Sequence, residues 1–149
     1  MMGRFETFTV LINRISRNIR KIKNQEMAEY QLRSSHISCL YYLHVGQELT
    51  ATELCEKCEE DKATISRSLD YLEENGYLAL RERNVKRYKS PLMLTEKGRE
   101  AGLRIAQKID AVLDEISGGL TEKERAEFYR CLAVISDSLD AVAQTNEKE

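Results

Sequence analysis

Closely spaced helix-end signals in the middle of this 149-residue chain constrain its fold more than any other feature. Thr50 is followed three residues later by Glu53, which is the pattern of a reciprocal capping box at a helix start. Leu49 and Leu54 fit the hydrophobic staple that accompanies such a box. A short helix is therefore predicted over residues 51–58.

A second short helix is predicted almost directly after the first. Asp61 can cap its start, and Asn75-Gly76 supplies the left-handed stop at which many helices end. Two short helices joined by about three residues, the second starting with small polar and basic side chains, are typical of a helix-turn-helix. The first turns of the second helix then reach base edges in DNA. The residues expected to do so are Lys62, Ala63, Thr64, Ser66 and Arg67.

A basic connection between two short apolar segments comes next. Residues 77–80 and 91–94 are predicted strands, so the connection would form a hairpin wing. Residues 77–99 hold seven basic and two acidic residues, whereas residues 109–149 hold ten acidic and four basic ones. Polarised charge suits a protein with one nucleic-acid face, and chance clustering is the alternative. The wing residues expected to contact DNA are Arg81, Arg83, Lys86, Arg87 and Lys89.

Long amphipathic helices flank this region, over about residues 4–28 and 96–143. Their apolar residues recur at steps of three and four, which is typical of a coiled-coil interface. Gly118-Gly119 interrupts the second stretch, and Thr121 with Glu124 forms another capping box. Packing of all stripes within one chain is the alternative to a dimer. The expected dimerisation residues are Phe8, Ile12, Ile15, Ile19, Leu132, Ile135 and Leu139.

One more helix, capped by Ser34-Ser35, is expected to end near Gly46. The predicted fold class is therefore mainly α. A winged helix-turn-helix lobe of three helices and a β-hairpin wing, over about residues 34–98, is joined to long N- and C-terminal dimerisation helices. The whole chain, residues 1–149, is predicted to be a single domain.

An ordered set of short segments carries a resemblance to one family. They are Leu49-Thr50, Glu53-Leu54, Thr64-Ile65-Ser66-Arg67, Leu72-Glu73-Glu74-Asn75-Gly76-Tyr77-Leu78 and Leu94-Thr95-Glu96-Lys97-Gly98. With them the sequence resembles the MarR family of winged helix-turn-helix transcriptional regulators over nearly its whole length. The resemblance implies sequence-specific binding of double-stranded DNA at a pseudo-palindromic operator, as a repressor. It also implies a triangular homodimer in which the first and last helices of both chains intertwine.

The resemblance implies a ligand and a wing arginine as well. A small aromatic ligand would bind between the dimer helices and the DNA-binding lobe and release the DNA. The residues expected there are Tyr30, His36, Cys39 and Tyr42, for which ordinary core packing is the alternative. In the wing, Tyr88 stands without a gap where family members often carry an arginine. A one-residue adjustment places Arg87 there, and we prefer that assignment.

Other chemistries are not expected. Cys55 and Cys58 form a CxxC inside a helix that follows no strand, which favours core packing over a redox or metal site. Cys39 and Cys131 are isolated thiols, and the two histidines lie too far apart for a metal site. No nucleophile, base or phosphate loop forms a catalytic set, so an enzyme with a cofactor is not expected.

The alternatives to a ligand-controlled repressor are a thiol-based redox-sensing regulator and a winged helix used only for protein contacts. The basic wing counts against the second. No signal peptide or membrane span is recognisable in the sequence, so a cytoplasmic protein with reduced thiols is expected.

Overall fold

Helices make up most of the computed structural model, which describes Gly3, Arg4, residues 6–81, Lys86 and residues 88–148. A π-helical turn (Glu6–Val10) precedes the first helix, and a 3₁₀ turn (Ala28–Tyr30) follows it. The chain divides into two compact units, Met1–Lys108 and Ile109–Glu149. No described helix combines the length and apolar character that crossing a membrane requires. The helices are α1 (Leu11–Glu26), α2 (Ser34–Gly46), α3 (Ala51–Cys58), α4 (Lys62–Glu74), α5 (Glu96–Ile116) and α6 (Glu122–Glu147).

The predicted starts of α3 and α4 are confirmed atom by atom. The Thr50 hydroxyl accepts from the Glu53 N–H at 3.3 Å, and the Glu53 carboxylate accepts from the Thr50 N–H at 2.8 Å. Asp61 accepts from the Thr64 N–H at 2.6 Å. These bonds satisfy amides that the first helical turn leaves without partners, so both helices begin at fixed residues.

The start of α2 differs from the prediction. Ser34-Ser35 was expected to cap it, but the helix already begins at Ser34. The capping acceptor is the ring Nδ1 of His36, which takes the Arg33 N–H at 3.0 Å. The Ser34 N–H instead donates to the Asn24 side chain on α1 at 2.7 Å. A side chain from a neighbouring helix thus completes this helix start.

The core of the first unit lies between α2, α3, α4 and the start of α5. Gly102 on α5 lies so close to α2 that an added Cβ would be 2.6 Å from the Cβ of His44. Close approach of this kind is what glycine permits inside a helix. The apolar side chains with no more than 2% exposure include Leu40, Leu54, Ile65, Leu69, Leu72, Leu78 and Ile105.

The segment between α4 and α5 is an antiparallel pairing shorter than predicted. Gly76 has a φ of 78°, which confirms the left-handed stop after α4. The Ala79 N–H donates to Met93 O at 2.8 Å, and the Thr95 N–H donates to Tyr77 O at 3.1 Å. Among the described residues this pairing is one isolated bridge, not two strands. Residues 82–85 and Arg87 lie outside the described residues, so the hairpin wing stays a prediction.

The second unit holds the end of α5 and all of α6. The predicted break at Gly118-Gly119 and the capping box at Thr121 are confirmed. The Glu124 N–H donates to the Thr121 hydroxyl at 3.2 Å, and the Glu124 carboxylate accepts from the Thr121 N–H at 2.8 Å. No described residue of α6 is buried in the isolated chain. Helix α6 therefore keeps its apolar side chains uncovered.

Candidate nucleic-acid interface

The turn between α3 and α4 fixes how the start of α4 is presented. Helix α3 ends at Cys58, and Glu59 follows in the left-handed conformation with a φ of 52°. Two residues later Asp61 caps α4. Three residues therefore separate the two helices, as the sequence predicted. This is the arrangement of a helix-turn-helix, in which the start of the second helix faces outward.

The five residues predicted to reach DNA lie together on the first two turns of α4. The side chains of Lys62, Ala63 and Arg67 are exposed, while Thr64 and Ser66 are half-buried. The Arg67 guanidinium donates to the Thr64 hydroxyl at 3.3 Å. This contact holds Arg67 against the N-terminal part of the helix. The Arg67 guanidinium and the hydroxyls of Thr64 and Ser66 therefore share one small surface.

The start of α4 carries an ionised carboxylate at its cap. Backbone and hydroxyl hydrogen bonds from Thr64, with a smaller contribution from the Arg67 charge, hold the pKa of Asp61 below its usual value. The carboxylate is thus ionised at neutral pH and occupies part of the helix end. Asp61 is thus itself the anion at this helix end, and the exposed cations Lys62 and Arg67 lie on the same first two turns.

Tyr88 lies beside this surface in the predicted wing. The Lys62 ammonium lies over the Tyr88 ring at 4.2 Å from its centre, which is a cation–π distance. Tyr88 is the residue that takes the place of the wing arginine when no gap is allowed. Here it contacts the first residue of α4, a role that a basic pattern alone does not indicate.

The described wing residues are exposed cations. Arg81 forms an ion pair with Glu73 of α4 at 3.4 Å. Lys86 and Lys89 belong to one turn, in which the Lys89 N–H donates to Lys86 O at 3.0 Å. The predicted contacts Arg83 and Arg87 lie outside the described residues.

Sequence reasoning did not assign a role to Lys97. Its ammonium donates to Asn75 O at 2.8 Å and lies 4.3 Å from the centre of the Tyr77 ring. A cation at the C-terminal end of α4 matches the negative end of the helix dipole. Lys97 thus stabilises the end of the predicted recognition helix. Its places in the basic segment and in the segment Leu94-Thr95-Glu96-Lys97-Gly98 were the sequence signals for it.

Exposed apolar side chains mark the residues predicted to form a dimer interface. Of the residues on α1 and the turn before it, Ile15 is 50% exposed and Ile19 48%. On α6, Leu139 is 53% exposed and Leu132 is half-buried. The remaining three, Phe8, Ile12 and Ile135, are 41%, 39% and 38% exposed. Each unit thus carries an apolar face that its own side chains leave uncovered.

The four predicted ligand-pocket residues differ in their contacts and in their burial. The Tyr30 hydroxyl accepts from Arg104, and the His36 ring stacks on Tyr71 at 4.2 Å. Cys39 is fully buried and Tyr42 half-buried.

A cavity beside the end of α1 is lined by other residues, namely Ser16, Ile19, Arg20, Lys23, Ser34, Ser38, Cys58, Glu59 and Glu60. Within the described chain, no three His, Cys, Asp or Glu side chains are grouped as a metal site would require.

Helices α3 and α4 and the turn between them define a helix-turn-helix protein, and known sequences agree. A sequence model of the MarR family matches residues 30–87, which include both helices. The uncharacterised HTH-type transcriptional regulator YwoH of Bacillus subtilis is 27% identical over 117 residues. That alignment spans 78% of this chain and 85% of YwoH.

Solved structures share the fold. A MarR family regulator from Neisseria meningitidis matches with a TM-score of 0.81 at 21% identity, over 97% of this chain and 99% of that one. A MarR family transcriptional regulator from Listeria monocytogenes, solved with a 26mer DNA, has a TM-score of 0.78 and 24% identity, over 93% and 90%. The family model thus covers the helix-turn-helix region, and these regulators share the fold of the chain over most of its length.

Proposed function

We propose that the chain is a homodimeric repressor that binds a pseudo-palindromic operator in double-stranded DNA. The observation that carries the proposal is the capped, outward-facing start of α4, where Lys62, Ala63 and Arg67 are exposed side by side. An α-helix fits the major groove, and residues in its first turns reach base edges.

Each residue at this helix start has a contact that suits its chemistry. The Arg67 fork can bond both acceptors of a guanine, and the Ala63 methyl can meet a thymine methyl. Thr64 and Ser66 can bond bases or phosphates, and the free amides of the first turn suit a phosphate. The sequence preference would therefore depend mainly on Arg67.

The basic wing supports the same proposal by another route. The exposed cations Arg81, Lys86 and Lys89 would lie along the phosphate backbone or the minor groove, and Arg83 and Arg87 are proposed to join them. Contacts to phosphate carry little sequence information. The wing would thus supply affinity and register, while α4 supplies discrimination.

The uncovered apolar faces of α1 and α6 support a homodimer. Large exposed apolar stripes are uncommon on monomers and mark interaction surfaces. A two-fold axis would pair identical faces and present two copies of α4 to one side of a duplex. Release of the DNA by a small aromatic ligand stays a prediction from the family resemblance alone.

The first expected result concerns the DNA site itself. Genome-wide capture with the purified protein should enrich a pseudo-palindrome whose half-sites are about one helical turn (~34 Å) apart. Affinity for that site should fall steeply with salt, because phosphate contacts release counterions. A scrambled duplex of equal length is the control. Equal affinity for both duplexes, or affinity that does not depend on salt, would contradict the proposal. Transcription in vitro from a promoter that overlaps the site should fall.

The second expected result separates the base-reading residue from the phosphate contact. Arg67→Ala should cost about 1–3 kcal/mol on the matched duplex and little on the scrambled one, because a base contact is lost. Arg87→Ala should weaken both duplexes alike and reduce the salt slope by about one. Arg130→Ala removes the same charge from α6, outside the predicted helix-turn-helix lobe and wing, and should change neither. Electrophoretic titration measures all three, and the reverse pattern would exchange the two roles.

A further inference from the structure

Lys62, the first residue of α4, contacts the predicted wing. Its ammonium lies 4.2 Å from the centre of the Tyr88 ring. Arg67, more than one turn further along the same helix, instead donates to the Thr64 hydroxyl at 3.3 Å. From the sequence, both cations are expected to reach base edges. In the structure their charged ends have different partners, one in the wing segment and one on the helix itself.

The position of Lys62 on the helix does not favour a cation. The N-terminal end of a helix carries a partial positive charge, which disfavours a cation in the first turn. Three acidic residues, Glu59, Glu60 and Asp61, directly precede Lys62. None of the ion pairs among the described residues involves Lys62, so it is not paired with these carboxylates there. The electron-rich face of the Tyr88 ring attracts the ammonium and holds it in one place.

Tyr88 lies in a turn of the wing segment that contacts α4. The Lys89 N–H donates to Lys86 O at 3.0 Å, which closes the turn around Tyr88. The Tyr88 side chain is half-buried. Further back along the segment, Arg81 pairs with Glu73 near the end of α4 at 3.4 Å. The wing segment therefore contacts α4 at its start through Tyr88 and near its end through Arg81.

We propose that Tyr88 positions Lys62 to bind the phosphate backbone between the two grooves, so that Lys62 is a phosphate contact and not a base-reading residue. The proposed function places α4 in the major groove and the wing along the backbone or the minor groove. One phosphate backbone separates neighbouring grooves of a duplex. A side chain held between α4 and the wing therefore faces phosphates. This assignment rests on the proposed function and adds a division of roles within it.

The cation–π contact is compatible with a phosphate contact. A lysine ammonium has three N–H donors, and the Tyr88 ring covers one side of it. The other donors can bond phosphate oxygens while the charge stays over the ring. Because Lys62 is already placed, binding DNA costs less side-chain entropy than it would for a free lysine. Tyr88 is thus a positioning residue that acts on DNA through Lys62.

The first test needs no DNA. In NMR spectra of the full-length free protein, the ring current of Tyr88 should shift the protons on Cε of Lys62 upfield. Tyr88→Phe keeps the ring face and should keep this shift, whereas Tyr88→Leu should remove it. Circular dichroism should show that both variants are folded. Lys62 protons without the shift in wild type would overturn the contact in solution and the proposal with it.

The second test is electrophoretic titration of the matched and scrambled duplexes over a range of salt concentrations. Lys62→Ala should weaken binding to both duplexes alike and reduce the salt slope by about one, because one phosphate contact is lost. Tyr88→Leu should weaken both about two- to fivefold, the factor that corresponds to an exposed cation–π contact, and Tyr88→Phe should not. Lys97→Ala is the matched control, because it removes another lysine that lies over a tyrosine ring, at the opposite end of α4. It should leave the salt slope unchanged.

A double-mutant cycle separates positioning from a general structural effect. When Lys62→Ala is already present, Tyr88→Leu should cause no further loss of affinity, because Tyr88 acts through Lys62. Losses that add in the double variant would overturn the positioning role. A loss in Lys62→Ala that is confined to the matched duplex, or tighter binding by Tyr88→Leu, would overturn the phosphate assignment. If wild type does not distinguish the two duplexes, the proposed function fails and the phosphate assignment with it, while the NMR shift still decides whether Tyr88 holds Lys62.

Discussion

Replacing Gly98 by alanine is expected to destabilise the first unit by about 3 kcal/mol. A Cβ at this position would lie 2.0 Å from the backbone oxygen of Tyr77 and 3.1 Å from a methyl group of Leu94. The Tyr77 oxygen cannot move away freely, because it accepts the Thr95 N–H at 3.1 Å. Either this bond breaks or α5 shifts outward.

The sign of this effect is opposite to that of helix propensity. In an exposed helix, alanine is about 1 kcal/mol more favourable than glycine. Gly98 lies in the first turn of α5, where propensity alone favours alanine, so the loss measures the steric contact.

Thermal unfolding followed by circular dichroism should show a melting temperature about 10 °C below wild type. Gly119→Ala is the matched control, because an added Cβ there meets no atom within 4 Å. It should unfold within about 2 °C of wild type. An unchanged melting temperature for Gly98→Ala would mean that α5 does not approach Tyr77 this closely in solution.

Local signals explain why so much of the fold could be predicted from the sequence. The caps at Thr50, Asp61 and Thr121 and the stop at Gly76 each depend on residues within four positions. Their chemistry is complete without tertiary contacts. The start of α4, and with it the candidate DNA-reading surface, was therefore predictable.

What sequence reasoning missed depends on contacts between distant residues. His36, not a serine, completes the start of α2, with Asn24 from another helix bonding the Ser34 N–H. Tyr88 was considered only as a substitute for an arginine. Its contact with Lys62 depends on the tertiary structure, which brings the two residues together. Neither spacing nor composition encodes such pairs.

Changing Ile15 and Ile19 together to aspartate is expected to abolish the dimer and specific DNA binding. Both side chains are about half exposed in the isolated chain, and no described residue of α1 is buried. A two-fold interface would bury each isoleucine twice. At about 1 kcal/mol for the half of each side chain that is still exposed, the four copies account for about 4 kcal/mol. That raises the dimer dissociation constant by about 10³, and burying the charged aspartates raises it further.

Arg14→Asp with Lys21→Asp is the matched control. It places two aspartates on the opposite, polar face of α1 and changes the net charge even more, yet it should leave the dimer intact. Light scattering should report one chain for the Ile15/Ile19 variant and two for wild type and the control. The circular dichroism spectra of both variants should remain those of a helical protein, because the altered residues are outside the core.

Loss of the dimer should carry over to DNA. A single chain contacts one half-site only, so the variant should bind the palindrome no better than an isolated half-site. Wild type should bind the full palindrome far more tightly than a half-site. Once one copy of α4 in the dimer is bound, the second copy binds the other half-site in an intramolecular step. A wild-type protein that is monomeric in solution and still distinguishes the palindrome from a half-site would refute the dimer. So would an Ile15/Ile19 variant that remains dimeric.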